Sequence, residues 1–198
     1  MAPDEQLLPD VYISVDIEAD GPIPSDYSML SFGMTVAGWY DGATFTPDDP
    51  TANTFYAELT PTSDTFDEKA LAVAGLDRDK LLRDGEDPTT AMARAAKWVD
   101  RVAAGHMPVL VAWPAEFDWS FLHWYFIHYL GRDPFGYASC IDTKAFSLAR
   151  SGLTTSAAHE GGLPDHLRST LPHTHNALDD AMAHAERFAK IFVWHQNA

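Results

Sequence analysis

The residues best suited to chemistry lie in three short segments that are far apart in the sequence. Asp16 and Glu18 end the first apolar run, Asp118 lies in the middle of the chain, and His175 and Asp180 lie near the C-terminus. Carboxylates are ligands for hard divalent cations, and a histidine can act as a general base. Two divalent cations beside a base form an arrangement that hydrolyses phosphodiesters.

The spacing of the first acidic pair allows it to act on one ion. Asp16 and Glu18 are two residues apart on a predicted strand, so their side chains point to the same side of the sheet. At a strand end they could share a metal ion. The alternative is that they are solvated acids, which are common at strand ends.

The last segment combines a base with a carboxylate. His175 and Asp180 are five residues apart, and a helix is predicted to begin between them. The base would lie on a flexible approach and the carboxylate on an anchored helix, although acids in a first turn also favour the helix dipole. His173 lies close by, and composition alone does not choose between the two histidines.

Apolar runs bounded by turn residues predict the elements that carry these side chains. β-branched runs predict strands, whereas capping residues followed by apolar residues three and four apart predict helices. The predicted strands are residues 11–17, 29–38, 54–59, 109–113 and 139–142. The predicted helices are residues 67–74, 87–104, 118–130 and 143–150, and a last helix that begins near Asn176. Asn176 and Asp179 resemble a capping box. Three antiparallel strands followed by alternating helices and strands predict an α/β fold with a mixed sheet.

Length and composition predict one soluble domain over residues 1–198, with about the first eight residues flexible. Apolar residues make up 46% of the chain, which is enough for a globular core. There is no long apolar run typical of a membrane span, and the N-terminus lacks the features of a signal peptide. Cys140 is the single cysteine, so an intramolecular disulfide is excluded and a cytoplasmic location is expected.

The net charge of −16 restricts the kind of partner. Phosphate contacts dominate the affinity of most nucleic-acid binders, so an acidic chain is a poor candidate for tight binding to long duplex. It could still hold a few terminal nucleotides through metals and stacking. Bound cations would reverse the local charge of an acidic cluster.

Three motifs occur in a fixed order between residues 16 and 180. They are Asp-x-Glu at the end of a strand, Phe-Asp-x-x-Phe-Leu near a central helix and His-x-Ala-x-x-Asp opening the last helix. This order resembles the DEDD exonuclease superfamily in its histidine-bearing branch, DEDDh, and within it the RNase T-like subgroup. The resemblance implies a ribonuclease H-like fold, with a mixed five-stranded sheet of three antiparallel strands then parallel strands, and helices on both faces.

The resemblance also implies a mechanism and a substrate class. Asp16, Glu18, Asp118 and Asp180 would hold two divalent cations, Mg²⁺ or Mn²⁺, and His175 would be the general base. The reaction would release nucleoside 5′-monophosphates from single-stranded 3′ ends, with RNA or short oligonucleotides favoured. RNase T and oligoribonuclease are dimers, so a homodimer is also suggested.

The sequence departs from the family pattern in two places, and two other functions remain open. Ala19 and Asp20 replace the threonine and small polar residue that often follow the glutamate, and Pro114 replaces an asparagine. The first alternative is a DNA-directed exonuclease of the proofreading or repair type. The second is a catalytically silent interaction module, which retention of all five motif residues opposes.

Candidate substrate contacts are weaker inferences than the metal ligands. The backbone amide of Ala19 could meet the terminal 3′-hydroxyl. Met29 and Leu30 could wedge between terminal bases or belong to the core. Phe121 and Trp124 could stack on bases, although core packing is the more common role of such residues.

Other polar residues have simpler explanations. Asp142 could be a fifth metal ligand, but it is better explained as the cap of the following helix. His173 is expected at the surface of the loop. The remaining histidines, His184 among them, show no spacing typical of ligands.

Overall fold

A mixed β-sheet forms the centre of the computed structural model, which describes residues 8–158 and 162–194. The predicted flexibility of the first residues falls outside this range, except at Leu8. Within it the strands are β1 (Asp10–Ala19), β2 (Met29–Tyr40), β3 (Phe45–Pro47), β4 (Thr54–Glu58), β5 (Met107–Ala112) and β6 (Cys140–Asp142).

The strand order explains how six strands occupy five positions. β3 and β4 both pair with the outer edge of β2, β3 near its C-terminal end and β4 near its N-terminal end. β1 pairs antiparallel with β2 and parallel with β5, which pairs parallel with β6. The predicted mixed sheet, antiparallel on one side and parallel on the other, is therefore confirmed. β3 was not predicted, because it has only three residues and follows a turn.

Helices cover both faces of this sheet. They are α1 (Glu68–Ala74), α2 (Arg78–Asp84), α3 (Pro88–Ala103), α4 (Ala115–Tyr125), α5 (Thr143–Ser151) and α6 (Ala177–Val193). A π-helical turn, Phe126–Leu130, extends α4, and a short 3-10 helix spans Asp165–Leu167. α2 was not predicted. The start of α4 was predicted three residues too late, so Asp118 lies within its first turn rather than at its beginning.

Alternation along β1 separates two apolar cores. Val15 and Ile17 point to the face covered by α3 and α4, where they join the larger core. Tyr12 points to the opposite face and packs on Phe188 of α6, with ring centroids 5.0 Å apart. The even-numbered residues of β1 therefore face α6, which is the face that carries Asp16 and Glu18.

Capping residues place the ends of the helices. The Asn176 side chain accepts hydrogen bonds from the amides of Leu178 and Asp179, as predicted for the N-cap of α6. The reciprocal half of the capping box is not formed, because the Asp179 carboxylate accepts the Thr174 hydroxyl at 2.8 Å instead. Of the helices that the structure describes, none has the length and apolar character needed to span a membrane.

Candidate active site

A glycine in β2 brings the first turn of α6 onto the sheet beside Asp16. Gly33 is the partner of Asp16 across the β1–β2 pair. A Cβ at Gly33 would lie 2.4 Å from the carbonyl oxygen of Ala177 and from the Cα of Leu178, much closer than side-chain atoms can approach. The missing side chain therefore lets α6 begin directly above the strand that carries the acidic pair.

This approach brings three of the predicted metal ligands together. Asp16 and Glu18 of β1 and Asp180 of α6 offer carboxylate oxygens that all lie within 4.8 Å of one another. Asp180 is almost completely buried, with 1% of its surface exposed. The alternation of β1 and the helix start at Asn176 together produce this convergence.

The fourth predicted ligand is Asp118. It belongs to α4, which covers the other face of the sheet, and it lies near the C-terminal end of β1. Asp118 of α4 accepts a hydrogen bond from the backbone amide of Ile17, at 3.0 Å from its Oδ1 atom. Ile17 lies between Asp16 and Glu18, so this bond fixes Asp118 against the strand that carries them. Asp118 is 4% exposed. We call Asp16, Glu18, Asp118 and Asp180 the carboxylate cluster.

Asp142 holds the start of α4 in this position. Its Oδ2 atom accepts the amide of Ala115, at 2.7 Å, and its Oδ1 atom accepts the amide of Ala145 in α5. Both oxygens thus accept amides at helix starts, which confirms that Asp142 caps the following helix, α5. The contact is a tertiary one, because α4 has no side-chain cap of its own.

Burial and mutual repulsion raise the pKa values of the cluster. Burial is the main cause that raises the pKa of Glu18 to about 7, with a further contribution from the charge of Asp180. Burial likewise raises the pKa of Asp118 to about 8, against the effect of its backbone hydrogen bonds. The pKa of Asp16 is raised by burial and then by the charges of Asp118, Glu18 and Asp180. A cluster of this kind gains from cations, and its all-oxygen donor set fits hard divalent ions.

The histidines lie on a segment that folds around Asp180, residues 172–176, which we call the histidine loop. The amides of Thr174 and His175 donate to the two carboxylate oxygens of Asp180, at 2.9 and 3.1 Å. His175 adopts a left-handed backbone conformation with φ of 57°, and its side chain is exposed. The loop thus has its backbone anchored at Asp180 while an imidazole extends toward solvent.

His173 lies closer to the carboxylate cluster than predicted for a surface residue. Its side chain is 44% exposed, but Nδ1 lies 2.9 Å from Oδ1 of Asp180. The rings of His173 and His175 are in contact, with centroids 4.7 Å apart. The structure therefore brings both histidines to the site.

One polar residue beside the cluster was missed from sequence. His184 lies one turn after Asp180 on the face of α6 that packs on the sheet, and its Nδ1 atom is 3.6 Å from Oδ1 of Asp16. Nδ1 has no hydrogen-bond partner among the described residues. Burial, followed by the charges of Arg187 and His173, lowers the pKa of His184 to about 3, so the ring is neutral. The signal that could have found it is the spacing of four residues from Asp180.

A cleft of about 380 Å³ opens beside Glu18. Its walls are mostly apolar, and Lys69 of α1 lies at the same cleft. Ala19, a predicted substrate contact, lines it together with Phe117, which is 39% exposed. Phe117 was not predicted as a substrate contact, although its position directly before Asp118 was a usable signal.

The other four predicted substrate contacts lie elsewhere. Met29, Leu30 and Phe121 are fully buried, so their side chains offer no surface on which a base could stack. Their burial supports core packing, the alternative explanation for each. Trp124 stacks on His128, with centroids 4.4 Å apart, and lines a separate depression on α4 and the π-helical turn.

Comparisons with known proteins point to one family. No protein-family model matches the chain. It is 36% identical over 183 residues to the 3′-5′ DNA exonuclease Cap18 of Escherichia coli, a match that covers 92% of this chain and 91% of Cap18. The nuclease domain of 3′hExo, a DEDDh family member bound to rAMP, has a similar fold, with a TM-score of 0.64 at 17% identity, over 94% of this chain and 92% of that one.

A larger enzyme contains the same fold. The zinc-bound complex of E. coli exonuclease I with single-stranded DNA matches with a TM-score of 0.59 at 17% identity, over 94% of this chain. This chain spans 40% of the length of exonuclease I. With an identity to Cap18 that extends over nearly its whole length, and with the histidine-bearing motif order, the chain belongs to the DEDDh family of 3′–5′ exonucleases.

Proposed function

We propose that this exonuclease removes nucleotides from single-stranded 3′ ends of DNA with two divalent cations, Mg²⁺ or Mn²⁺, and with His175 as the general base. The observation that carries the proposal is the convergence of Asp16, Glu18 and Asp180 within 4.8 Å, with Asp118 bonded to the backbone between the first two. The sequence and its family resemblance favour RNA, with DNA as the alternative. The name of Cap18, a 3′-5′ DNA exonuclease, is the reason to prefer DNA here.

The carboxylate cluster would hold both cations. When bound, two such ions lower the pKa of a water molecule and stabilise the charge on the leaving 3′-oxygen. Asp180 reaches Asp16 and Glu18 from α6, and Asp118 is fixed at the opposite side of β1. Because these side chains project from a strand and from two helices packed on it, their positions should change little when substrate binds.

His175 would accept the proton of the attacking water. A neutral imidazole has a lone pair that can accept a proton from a nearby water, which suits this step. Its backbone amide is bonded to Asp180, so the ring stays next to the carboxylate cluster while its exposed position lets it turn toward a bound substrate.

The cleft beside Glu18 would receive the terminal nucleotide. Ala19, Val73 and Phe117 provide apolar walls against which a base can lie, and Lys69 provides a positive charge for a phosphate. With a net charge of −16, the chain has few cations for a long backbone track, which favours contacts with a short single-stranded end.

A single incubation series tests the proposal. Single-stranded DNA, single-stranded RNA and duplex DNA, each labelled at the 5′ end, are incubated with Mg²⁺, with Mn²⁺ and with EDTA. We expect single-stranded DNA to shorten stepwise from its 3′ end with either metal and to remain intact in EDTA. Faster cleavage of RNA would restore the preference inferred from the sequence. Failure to cleave any substrate would favour the silent interaction module.

A further inference from the structure

We propose that His173, His175 and Asp180 form a second metal site, which binds a transition-metal ion such as Zn²⁺ and switches the exonuclease off. One donor atom from each of the three residues lies within 4.8 Å of the other two. The binding part of this proposal stands on the geometry, whereas the inhibitory part rests on the proposed function.

The geometry brings the three side chains close together before an ion binds. Nδ1 of His173 is 2.9 Å from Oδ1 of Asp180, and the two imidazole rings are in contact. The amides of Thr174 and His175 fix the loop on the same carboxylate. Three protein ligands beside solvent match the open coordination that zinc often has in proteins.

The donor atoms distinguish this site from the carboxylate cluster. Two imidazoles and one carboxylate suit borderline ions such as Zn²⁺, while an all-oxygen cluster suits Mg²⁺. The two sites should therefore select different ions even though they adjoin one another.

The sites also share residues, which makes them mutually exclusive. Asp180 belongs to both sites, and His175 is the proposed general base. An ion held by the histidine loop would occupy the lone pair that His175 needs for the proton and would draw an oxygen of Asp180 away from the cluster. His173 has no part in the proposed hydrolysis, so it is the residue that marks the second site.

Binding is tested by titrating Zn²⁺ into the metal-free full-length protein in a calorimeter. Substitution of groups that merely orient ligands lowers metal affinity by about 10–100-fold, so loss of a ligand in His173→Ala should weaken Zn²⁺ binding by at least about tenfold. His166→Ala is the matched control. This ring packs near Trp194, which follows the C-terminal end of α6, whereas the proposed zinc ligands lie around its N-terminal end. Asp16→Asn is the second control, since it alters the carboxylate cluster and leaves the three proposed zinc ligands in place.

Two outcomes of the titration would overturn the second site. Equal Zn²⁺ affinity in the wild type and in His173→Ala would mean that the ion binds at the carboxylates alone. A loss in Asp16→Asn as large as that in His173→Ala would mean the same. Retained binding in Asp16→Asn together with weakened binding in His173→Ala is the expected result.

Inhibition is measured as cleavage of single-stranded DNA in Mg²⁺ with increasing Zn²⁺, relative to the rate of each variant without Zn²⁺. The Zn²⁺ concentration for half-inhibition should rise by at least about tenfold in His173→Ala, in step with its binding. If binding weakens and inhibition does not change, the regulatory role is wrong. If no variant cleaves DNA in Mg²⁺, the proposed function fails, while the titration still decides whether the site exists.

Discussion

The carboxylate cluster and the histidine loop differ in the backbone that supports them. Asp16, Glu18 and Asp118 project from a central strand and from a helix bonded to it, and Asp118 is buried. His173 and His175 project from a loop and are exposed. Asp180 joins the two regions, because it belongs to the cluster by position and anchors the loop through two amide bonds. The fold thus fixes the proposed metal ligands and leaves the proposed base free to adjust.

Removing the residue common to both regions should have the largest effect. Asp180→Ala should abolish cleavage, because it removes a metal ligand and releases the histidine loop together. Melting in EDTA should change little, since loss of one carboxylate relieves repulsion in the cluster. Stabilisation by added metal should shrink. Asp179→Ala is the control, because its neighbouring carboxylate contacts Thr174 in the loop. An active Asp180→Ala protein would end the two-metal proposal.

Substitutions in the histidine loop should lower turnover without weakening metal binding by the carboxylate cluster. His175→Ala should lower the rate of cleavage by roughly 10²–10⁴-fold, the contribution of a general base, with Ca²⁺ binding preserved. His173→Ala should lose much less. Single-turnover rates and calorimetry separate these effects. If His173→Ala proves the more damaging substitution, the roles of the two imidazoles are reversed.

Substitutions of His184 test whether metal binding by the carboxylate cluster depends on a hydrogen bond from this ring to Asp16. The neutral ring can donate a hydrogen bond to Asp16 once that carboxylate is ionised by metal binding. His184→Leu should therefore raise the Mg²⁺ concentration for half-maximal activity by about 10–100-fold. His184→Asn keeps a nitrogen near the position of Nδ1 and should recover most of the affinity. Equal losses of Mg²⁺ affinity in His184→Leu and His184→Asn would indicate that His184 acts through packing alone.

The carboxylate cluster should make the stability of the protein depend on pH in a recognisable way. The pKa values of Glu18 and Asp118 in the folded protein are raised to about 7 and about 8, above their unfolded values. Their contribution to stability is therefore complete below about pH 4 and is lost as the pH rises through 7 and 8. The Tm in EDTA should fall between about pH 4 and 8, by roughly 2–4 °C for each kcal/mol lost.

Two additions test the origin of this fall. Mg²⁺ should abolish it, because the cation favours the ionised carboxylates. Asp118→Asn should remove its upper part, since the amide has no proton to lose. A Tm in EDTA that stays level between about pH 4 and 8 would show that the cluster is not strained in the absence of metal.

Local patterns in the sequence were enough to predict the parts of the site that depend on local geometry. Alternation along β1 placed Asp16 and Glu18 on one side, and the cap at Asn176 placed Asp180 in a first turn. The mixed sheet followed from the order of apolar runs, and its five-stranded form from the family resemblance. The first two inferences depend on residues within one element.

What escaped prediction depends on contacts between elements. Asp142 starts α4 from a distant strand, and His184 meets Asp16 only after α6 packs on the sheet. Met29 and Leu30 could be read as substrate contacts because β2 is covered on both sides along most of its length. Under these conditions burial cannot be inferred from alternation along the strand.

The close packing of α6 on Gly33 has a consequence for the order in which the nascent chain completes its site. Asp16, Glu18 and Asp118 precede Asp180 and both loop histidines in the chain, so they are synthesised first. A nascent chain thus carries three of its four carboxylates but cannot complete the cluster until its last helix docks on the sheet. By the same logic, detachment of α6 from the sheet would break up the carboxylate cluster without altering β1. Docking of α6 is in this way a condition for assembling the site.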